Sequence, residues 1–320
     1  MRPTLTLIKR EFTSYFLSPI AYVVLTVFLL VTGHLLYLTT VLLTEKGPRG
    51  IEYPMQALLG DEKFWLVFLF IPPLLTMRSF AEERASGTLE MLLTAPLRDW
   101  QVVLAKYVAC LLFYFVLWIP TLVYLPLLVN PRVAWTGVWS PGSIAAAVGL
   151  GVTTLAALAF LVTPPDRGPR GVMALVAILG VVLAVAACWY HYRREATQLI
   201  EIETGIDPYP VVTSYLGLAF AGGMFLALGL LVSSLVKSQM VSALVAMVFS
   251  LGFVLAAFWR PEMDPSGSVY RLLYFFSVPL HFQRDFARGQ LDTRNLVLYG
   301  SVALGCLFFT VRSLESRRWR

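Results

Sequence analysis

Three consecutive stretches decide how this chain folds. Phe64–Met77 reads FWLVFLFIPPLLTM, Glu82–Trp100 reads EERASGTLEMLLTAPLRDW, and Val102–Pro120 reads VVLAKYVACLLFYFVLWIP. Two strongly apolar runs thus flank one compact charged segment punctuated by Gly and Pro. A helix that crosses a bilayer needs about 20 mostly apolar residues. The first run therefore enters the membrane, the charged segment stays outside it, and the second run returns. Composition extends this reading to the whole chain. Of 320 residues, 58% are hydrophobic and 14% charged, against roughly 45–50% and about 25% in soluble domains. A water-soluble core has no room for that surplus. The expected fold is all-α, a polytopic membrane helix bundle.

Apolar runs of spanning length lie at Ile20–Leu43, Phe64–Phe80, Val102–Val129, Gly142–Thr163, Gly171–Tyr190, Val212–Val236, Gln239–Phe258 and Leu296–Arg312. That predicts about eight transmembrane helices. The second is short and contains Pro72–Pro73, which predicts a kink. Pro120 and Pro126 predict a bend in the outer half of the third. An even number of crossings puts both termini on one side, and Lys/Arg excess marks that side as cytoplasmic. With that choice Arg2, Lys9, Arg10, Arg78, Arg84, Arg98, Lys106, Arg167, Arg170, Lys237 and the basic C-terminal RSLESRRWR fall inside, facing anionic lipid.

Residues 1–18 are too polar to span. Leu5, Ile8, Phe12 and Phe16 recur at helical spacing, with Arg2, Thr6, Lys9 and Thr13 opposite. This predicts an amphipathic helix in the membrane interface. Pro19 then suits the first turn of the first span. The apolar run that follows is too long for a signal-peptide core and lacks a small-residue cleavage site.

The spans contain almost no charge. Lys106 enters the third span near its cytoplasmic end, where it is expected to snorkel, and Arg78 and Arg312 sit at span ends as interface anchors. No Asp or Glu lies near a span centre, which weighs against a proton- or sodium-driven carrier. His34, His191 and His281 form no zinc-helix motif, and His34 reads as a hydrogen-bonded structural histidine. Cys110, Cys188 and Cys306 have neither metal nor disulfide spacing and read as small apolar fillers. No catalytic or metal-ligating set emerges, and no phosphate-binding loop. Energy for any transport would come from a partner. Repeats of small residues, Ala145/Gly149/Thr153/Ala157 and Ala219/Gly223/Ala227, predict close helix packing.

Within Glu82–Trp100, Ser86 or Thr88 suits the cap of a short helix whose apolar face is Leu89, Leu92 and Leu93, ended by Ala95–Pro96. Burying one leucine is worth about 1.5–3 kcal/mol. Such a face calls for the interface or a partner's pocket.

The stretch FAEERASGTLEMLLTAPLRDWQVVLAKY, Phe80–Tyr107, resembles the signature of ABC-2 type transporter permeases. IKREFTSYFLSPIAYVVLTVFLL (Ile8–Leu30) is similar to the opening of the subgroup related to gliding-motility permeases. YLGLAFAGGMFLALGLLVSSLVKSQMVSALVA and HFQRDFARGQLDTRNLVLYGSVALGCLFFTVRSLESRRW are similar to its later spans and end. The resemblance implies a coupling segment, residues 81–101, that docks into a cleft of a separate ATP-binding subunit. Glu82, Glu83 and Arg84 match its acidic-basic lead-in. Gly87, Thr88 and Glu90 match its Gly-Thr-x-Glu core, and Leu92, Leu93, Pro96 and Lys106 match the later positions. It implies no cofactor in this chain, with ATP and Mg held by the partner. It also implies a second permease copy or homologous permease, and a place in the cytoplasmic (inner) membrane.

Members of the family have six spans. The stretch from about 131 to 209 therefore reads as an inserted helical pair within a permease domain of residues 19–320, with three roles open to it: lining the pathway, widening the dimer or binding an accessory envelope protein. The expected function is ATP-driven export by a non-enzymatic membrane subunit, without nucleic acid. The readings from other classes are a non-transporting platform that passes ATPase motion to envelope machinery, and an autonomous secondary carrier, which the uncharged spans disfavour. Arg271–Gly289, RLLYFFSVPLHFQRDFARG, reads as one outer amphipathic segment that dips into the leaflet or lies on the surface.

Overall fold

The structure, a computed structural model, describes residues 2–17, 19–46, 54–88, 98–123, 208–255, 257–258 and 267–318. The expected fourth and fifth spans, and with them the inserted pair, lie outside the described residues. Among the described residues there are helices and turns and no strand. Helix α1 is Arg2–Leu17, α2 Pro19–Lys46, α3 Pro54–Leu59, α4 Glu62–Phe68, α5 Ile71–Thr76, α6 Ala81–Ala85 and α7 Asp99–Trp118. Then follow α8 Pro208–Leu235, α9 Gln239–Leu255, α10 Ser268–Phe276, α11 Val278–Arg284 and α12 Thr293–Arg318. Asp99–Thr121, Tyr209–Leu235 and Thr293–Ser316 are long and apolar enough to cross a membrane. Val23–Thr39, Phe64–Thr76 and Gln239–Leu255 are shorter apolar helical stretches. The protein is an all-α membrane helix bundle.

Proline chemistry breaks the helices where the sequence says it will. The second apolar run divides into α4 and α5 at Leu69–Phe70. Pro72 and Pro73 have no N–H to donate back to that turn. Leu69 N–H still reaches the Trp65 carbonyl at 2.9 Å, and the ladder resumes with Leu74 N–H to Phe70 at 3.2 Å. At the far end of α7, Pro120 lies in a 3₁₀ turn, Ile119–Val123, the tighter geometry common at helix ends. Pro126 lies outside the described residues.

Helix α8 is the axis of the bundle. It touches α5, α7, α9, α12 and the turn at Phe286–Arg288. Residues 221–230 are buried throughout, as expected of a helix that is apolar all round. Small residues make this possible. A Cβ at Gly222 would overlap the Tyr114 ring, and one at Gly229 would overlap Thr76 Oγ1. Gly223, from the expected small-residue stripe, stands against the Tyr107 hydroxyl, which donates to its carbonyl at 3.2 Å. The stripe at 145–157 lies outside the described residues.

Aromatic rings fill the space around α8. Trp65 and Phe282 lie 4.6 Å apart between centroids, Phe28 and Trp118 5.0 Å, and Phe68 and Phe225 6.1 Å. Two of the aromatic groups also use their polar handles. Trp65 Nε1 donates to the Leu59 carbonyl at 2.9 Å, and the Tyr114 hydroxyl to Leu218 at 2.9 Å. The threonines of the helices bond their own preceding turns, as Thr32 does to Phe28 at 2.8 Å and Thr310 to Cys306 at 2.7 Å. This removes a free hydroxyl from an apolar setting. By contrast, α12 leaves Val297, Leu304, Phe308 and Phe309 exposed, and α9 leaves Met240, Leu244, Val248 and Phe249. Those faces suit lipid or another apolar partner.

Two local expectations change. The buried side of α1 is centred on Leu7 and Phe16, with Glu11 and Tyr15 turned inward, while Leu5 is exposed. The helix is amphipathic, but its packing face is rotated because α7 offers polar partners to Glu11 and Tyr15. Residues 271–289 do not form one amphipathic segment. Ser277 separates α10 from α11, and Pro279 lies in the first turn of α11. Val278, Leu280, His281 and Phe282 are buried, whereas Phe275 and Phe276 are exposed.

The close contact at Gly229 yields a prediction. Gly229→Ala is expected to destabilise the bundle by about 1–3 kcal/mol through overpacking. Thr76→Ala, which removes the overlapping Oγ1, should recover part of it; the Thr76 Cβ remains 3.0 Å from the new methyl. Unfolding of the purified protein in mixed micelles, for both variants and the double, measures the coupling.

Candidate functional site

The charged segment begins where α5 ends. Phe80 precedes α6, a single turn, Ala81–Ala85. Ser86 Oγ donates to the Glu82 carbonyl at 2.9 Å and pairs with Thr88 Oγ1 at 2.9 Å. Gly87 then takes a left-handed φ of +74°, the usual way for a helix to stop on glycine. Ser86 and Gly87 thus terminate α6, and Thr88 is again helical. The short helix expected to follow, with Leu89, Glu90, Leu92, Leu93 and Pro96, lies outside the described residues. Beyond it α7 starts at Asp99, where the Arg98 N–H donates to Gln101 Oε1 at 3.0 Å.

One ammonium holds this segment to the bundle. Lys106 Nζ lies 2.8 Å from Glu83 Oε1 and 3.0 Å from Glu11 Oε2. Its side chain is 2% exposed. The ammonium also sits 5.2 Å from the centroid of the Phe80 ring, a cation–π distance. The expected snorkelling of Lys106 is therefore corrected. The side chain stays inside because two carboxylates and an aromatic face replace water as its ligands. Glu11 comes from α1, Glu83 from α6 and Lys106 from α7, so a single charge ties three elements. Arg10 closes the group, 2.8 Å from Glu11 Oε1 and 3.9 Å from Glu83 Oε1.

The two carboxyls differ. Burial pushes both upward. At Glu11 the charges of Lys106 and Arg10 outweigh it and hold the pKa below the ordinary glutamate value. At Glu83 burial dominates and the neighbouring Glu11 charge adds to it, so the pKa lies above that value.

A second tie comes from α8. Ser233 Oγ accepts from the N–H groups of Phe80 and Ala81, each at 3.1 Å, and donates to the Met77 carbonyl at 3.3 Å. One buried hydroxyl therefore caps the start of α6 from a helix more than 150 residues later in the chain. On the α1 side, the Tyr15 hydroxyl meets the Leu75 carbonyl at 3.2 Å and Cys110 Sγ at 2.7 Å. Cys110 is thus more than an apolar filler; it is a polar contact of α1.

Of the sequence-predicted residues, the structure brings Glu83 and Lys106 into direct contact. Glu82 pairs with Arg78 at 3.7 Å on the exposed side of the segment. Arg84 lies in the last turn of α6. Sequence reasoning missed Glu11, Tyr15 and Ser233. The signal for Glu11 was a carboxylate inside an otherwise basic and aromatic helix.

A further polar cluster lies at α10–α12. His281 Nε2 faces the Tyr274 carbonyl at 2.9 Å, so Nε2 carries the proton and Nδ1 accepts from the Tyr299 hydroxyl at 2.8 Å. Asp285 Oδ2 accepts from Asn295 at 2.8 Å and from Tyr274 at 3.2 Å. Burial lowers the His281 pKa to about 4. Among the described residues no group of His, Cys, Asp and Glu has the arrangement of a metal site. His34 stands exposed with its ring 6.5 Å from that of Tyr37, in place of the hydrogen-bonded position expected for it. His191 and Cys188 lie outside the described residues.

Comparison with protein families identifies one match. The model described as "ABC-2 family transporter protein" matches residues 55–164, roughly a third of the chain. The match begins before α4 and contains α5, α6, α7 and the charged segment, and it supports an ABC-2 type transporter permease. No curated protein and no solved structure matches the chain.

Two predictions follow from the Lys106 cluster. Lys106→Met leaves the two half-buried carboxyls only the exposed Arg10 to share and is expected to cost about 3 kcal/mol. Adding Glu11→Gln and Glu83→Gln should recover most of that loss in the same unfolding measurement. The second concerns pH. Glu11, whose folded pKa lies below the free value of 4.5, contributes stability above that value and loses it as pH falls through the folded one. Glu83 is shifted the other way and does not add to this acid loss. The melting temperature should therefore fall below about pH 4.5, and Glu11→Gln should lower it at pH 7 while flattening the acid slope.

Proposed function

We propose that this chain is the membrane subunit of an ABC exporter of the cytoplasmic membrane, driven by a separate ATP-binding subunit that docks on residues 81–101. Both termini face the cytoplasm in this reading, and a second permease copy completes the pathway. The observation that carries it is the double attachment of the segment. Lys106 grips Glu83 from α7 and Ser233 grips the Phe80 and Ala81 amides from α8. A segment so held passes a push to both helices rather than absorbing it as a loop would. The family match over residues 55–164 supports the same class.

In the proposed cycle, ATP-driven closure of two ATPase subunits moves the two 81–101 segments together. The rigid ties then tilt α7 and α8, and the spans alternate access or squeeze a substrate outward. Apolar span faces suit a hydrophobic or amphiphilic substrate. Glu82, Glu83, Arg84, Gly87, Thr88, Glu90, Leu92, Leu93, Pro96 and Lys106 are the proposed coupling residues, Lys106 from inside the bundle. ATP and Mg belong to the partner.

The test uses the permease purified with its ATPase. Replacing Leu92 and Leu93 with Asp is expected to abolish copurification and substrate-stimulated ATP turnover while the protein still inserts in the membrane. Full copurification and full activity in that variant would sink the coupling assignment. ATP turnover indifferent to any substrate, with outer proteins copurifying, would favour the motion-transmitting platform instead.

A further inference from the structure

An open cavity of about 590 Å³ lies where α3 meets α11 and the turn after it. That is the size of a small-molecule site, for which about 300–1,000 Å³ is usual. Pro210 of α8 lies against Gly289 of that turn, while Ser233 of the same helix clips α6. At 1.5 Å per residue the two points are roughly 35 Å apart along α8, so the cavity and the charged segment belong to opposite membrane faces. Two glycines build the cavity. Gly60 lets the end of α3 close on α11, where a Cβ would stand 3.4 Å from Gln283 Cα; this sets Gln56 beside Arg284 on the cavity wall. Gly289 takes a left-handed φ of +81°, and the N–H groups of Arg288 and Gln290 both return to the Asp285 carbonyl, at 3.1 and 3.0 Å. The turn thus folds Arg288 and Gln290 back onto the rim that Arg284 occupies.

Arg284 is exposed, and it is aimed before anything binds. Its Nη2 donates to the Tyr270 hydroxyl at 2.6 Å, and its guanidinium lies 5.8 and 5.2 Å from the ring centroids of Tyr270 and Tyr274, both cation–π distances. Among the described residues no carboxylate stands within ion-pair distance of it. Its chain neighbour Asp285 gives Oδ2 to Asn295 and Tyr274 instead. A guanidinium carries five N–H donors, and Tyr270 takes one. A group held in direction by a hydroxyl and two rings has less freedom to lose when a ligand arrives. Arg288 lines the same space, so the wall holds two cations and one carboxyl, an excess of one positive charge. The rest is chiefly side-chain amide, from Gln56, Gln283 and Gln290. Such a wall offers no seat to an acyl chain. It suits a singly charged oxyanion that spreads several acceptor oxygens over a small volume. A phosphodiester has that charge and four oxygens, and guanidinium groups recognise phosphate.

We propose that this cavity binds a phosphodiester anion, with its non-bridging oxygens on the Arg284 guanidinium and its ester oxygens on the amides of Gln56 and Gln290. The headgroup of a phospholipid in the leaflet at this end and a water-borne phosphodiester offer the same chemistry. Bound there, the anion links α3 to α11 across the cavity mouth. The inference rests on the cavity and on the setting of Arg284. It does not need the ATPase reading, and its test uses the full chain alone.

The experiment is equilibrium dialysis of radiolabelled glycerophosphoglycerol, a soluble phosphodiester, against the delipidated full chain in dodecyl maltoside. One molecule per chain should bind saturably, dimethyl phosphate in excess should displace it, and glycerol should not. Arg284→Gln should weaken binding by roughly tenfold or more, the size of one charge-assisted hydrogen bond. Gln290→Glu, at an exposed position, places a carboxylate in the wall and should weaken it as far. A second arm repeats the dialysis with the chain in nanodiscs of phosphatidylglycerol. Binding lost there and present in detergent assigns the site to a lipid headgroup; binding retained there assigns it to a water-borne phosphodiester. No saturable binding in either medium, displacement by glycerol, or undiminished binding in Arg284→Gln or Gln290→Glu would each overturn the proposal. Should Arg284→Gln fail to purify, Gln290→Glu and the displacement by dimethyl phosphate decide it.

Discussion

A lysine ammonium shut away from water sets the terms for this end of the molecule. Taking Lys106 into a bundle is costly unless opposite charges and hydrogen bonds replace its hydration. Two carboxylates do so, and they come from elements far apart in the chain, Glu11 on α1 and Glu83 on α6. The charge cannot be satisfied unless all three elements arrive together. Once they do, none can leave without stranding the others. The position of α1 against the bundle and the direction of the 81–88 segment follow from that condition.

The opposite end is tied by hydrogen bonds gathered on one histidine and one carboxyl. His281 joins Tyr299 of α12 to the Tyr274 carbonyl, and Asp285 gathers Tyr274 and Asn295. Between these polar ends α8 is enclosed by apolar and aromatic side chains, with glycines where Tyr114 and Thr76 press closest. The bundle thus has an apolar middle whose helices are fixed in register by polar ties at each end. The proposed coupling role places a mechanical load on one such end, where an ionic tie and a hydroxyl clip share it.

Much of the fold was legible because its signals are local. The proline break in the second apolar run, the helices along the described apolar runs and the helical character of residues 2–17 depend on neighbours in sequence, and these appear in the structure. The charged segment was also legible, from Gly87 and the Glu-Glu-Arg run within a resembling signature. What escaped was partner choice. Lys106 stood out as a charge in a span, but its partner Glu11 lies 95 residues away, and no period links the two. Ser233 sat in the small-residue run LVSSL, where a packing serine and a capping serine look the same. Leu5 and Leu7 are equally apolar; only the polar groups on α7 decide which faces inward. Composition tells a side chain to avoid water, and the fold alone tells it where.

The Ser233 clip also has a bearing on how the protein is made. Its partners, Met77, Phe80 and Ala81, leave the ribosome more than 150 residues before it does. The start of α6 therefore lacks its cap while the chain between is still being synthesised. Only when α8 enters the bilayer does the hydroxyl reach those amides, and only then is the segment held from both sides. Assembly carries its own order. The charged segment is held from both sides only after the second half of the protein is in place, so a chain truncated before α8 would hold it by the Lys106 tie alone.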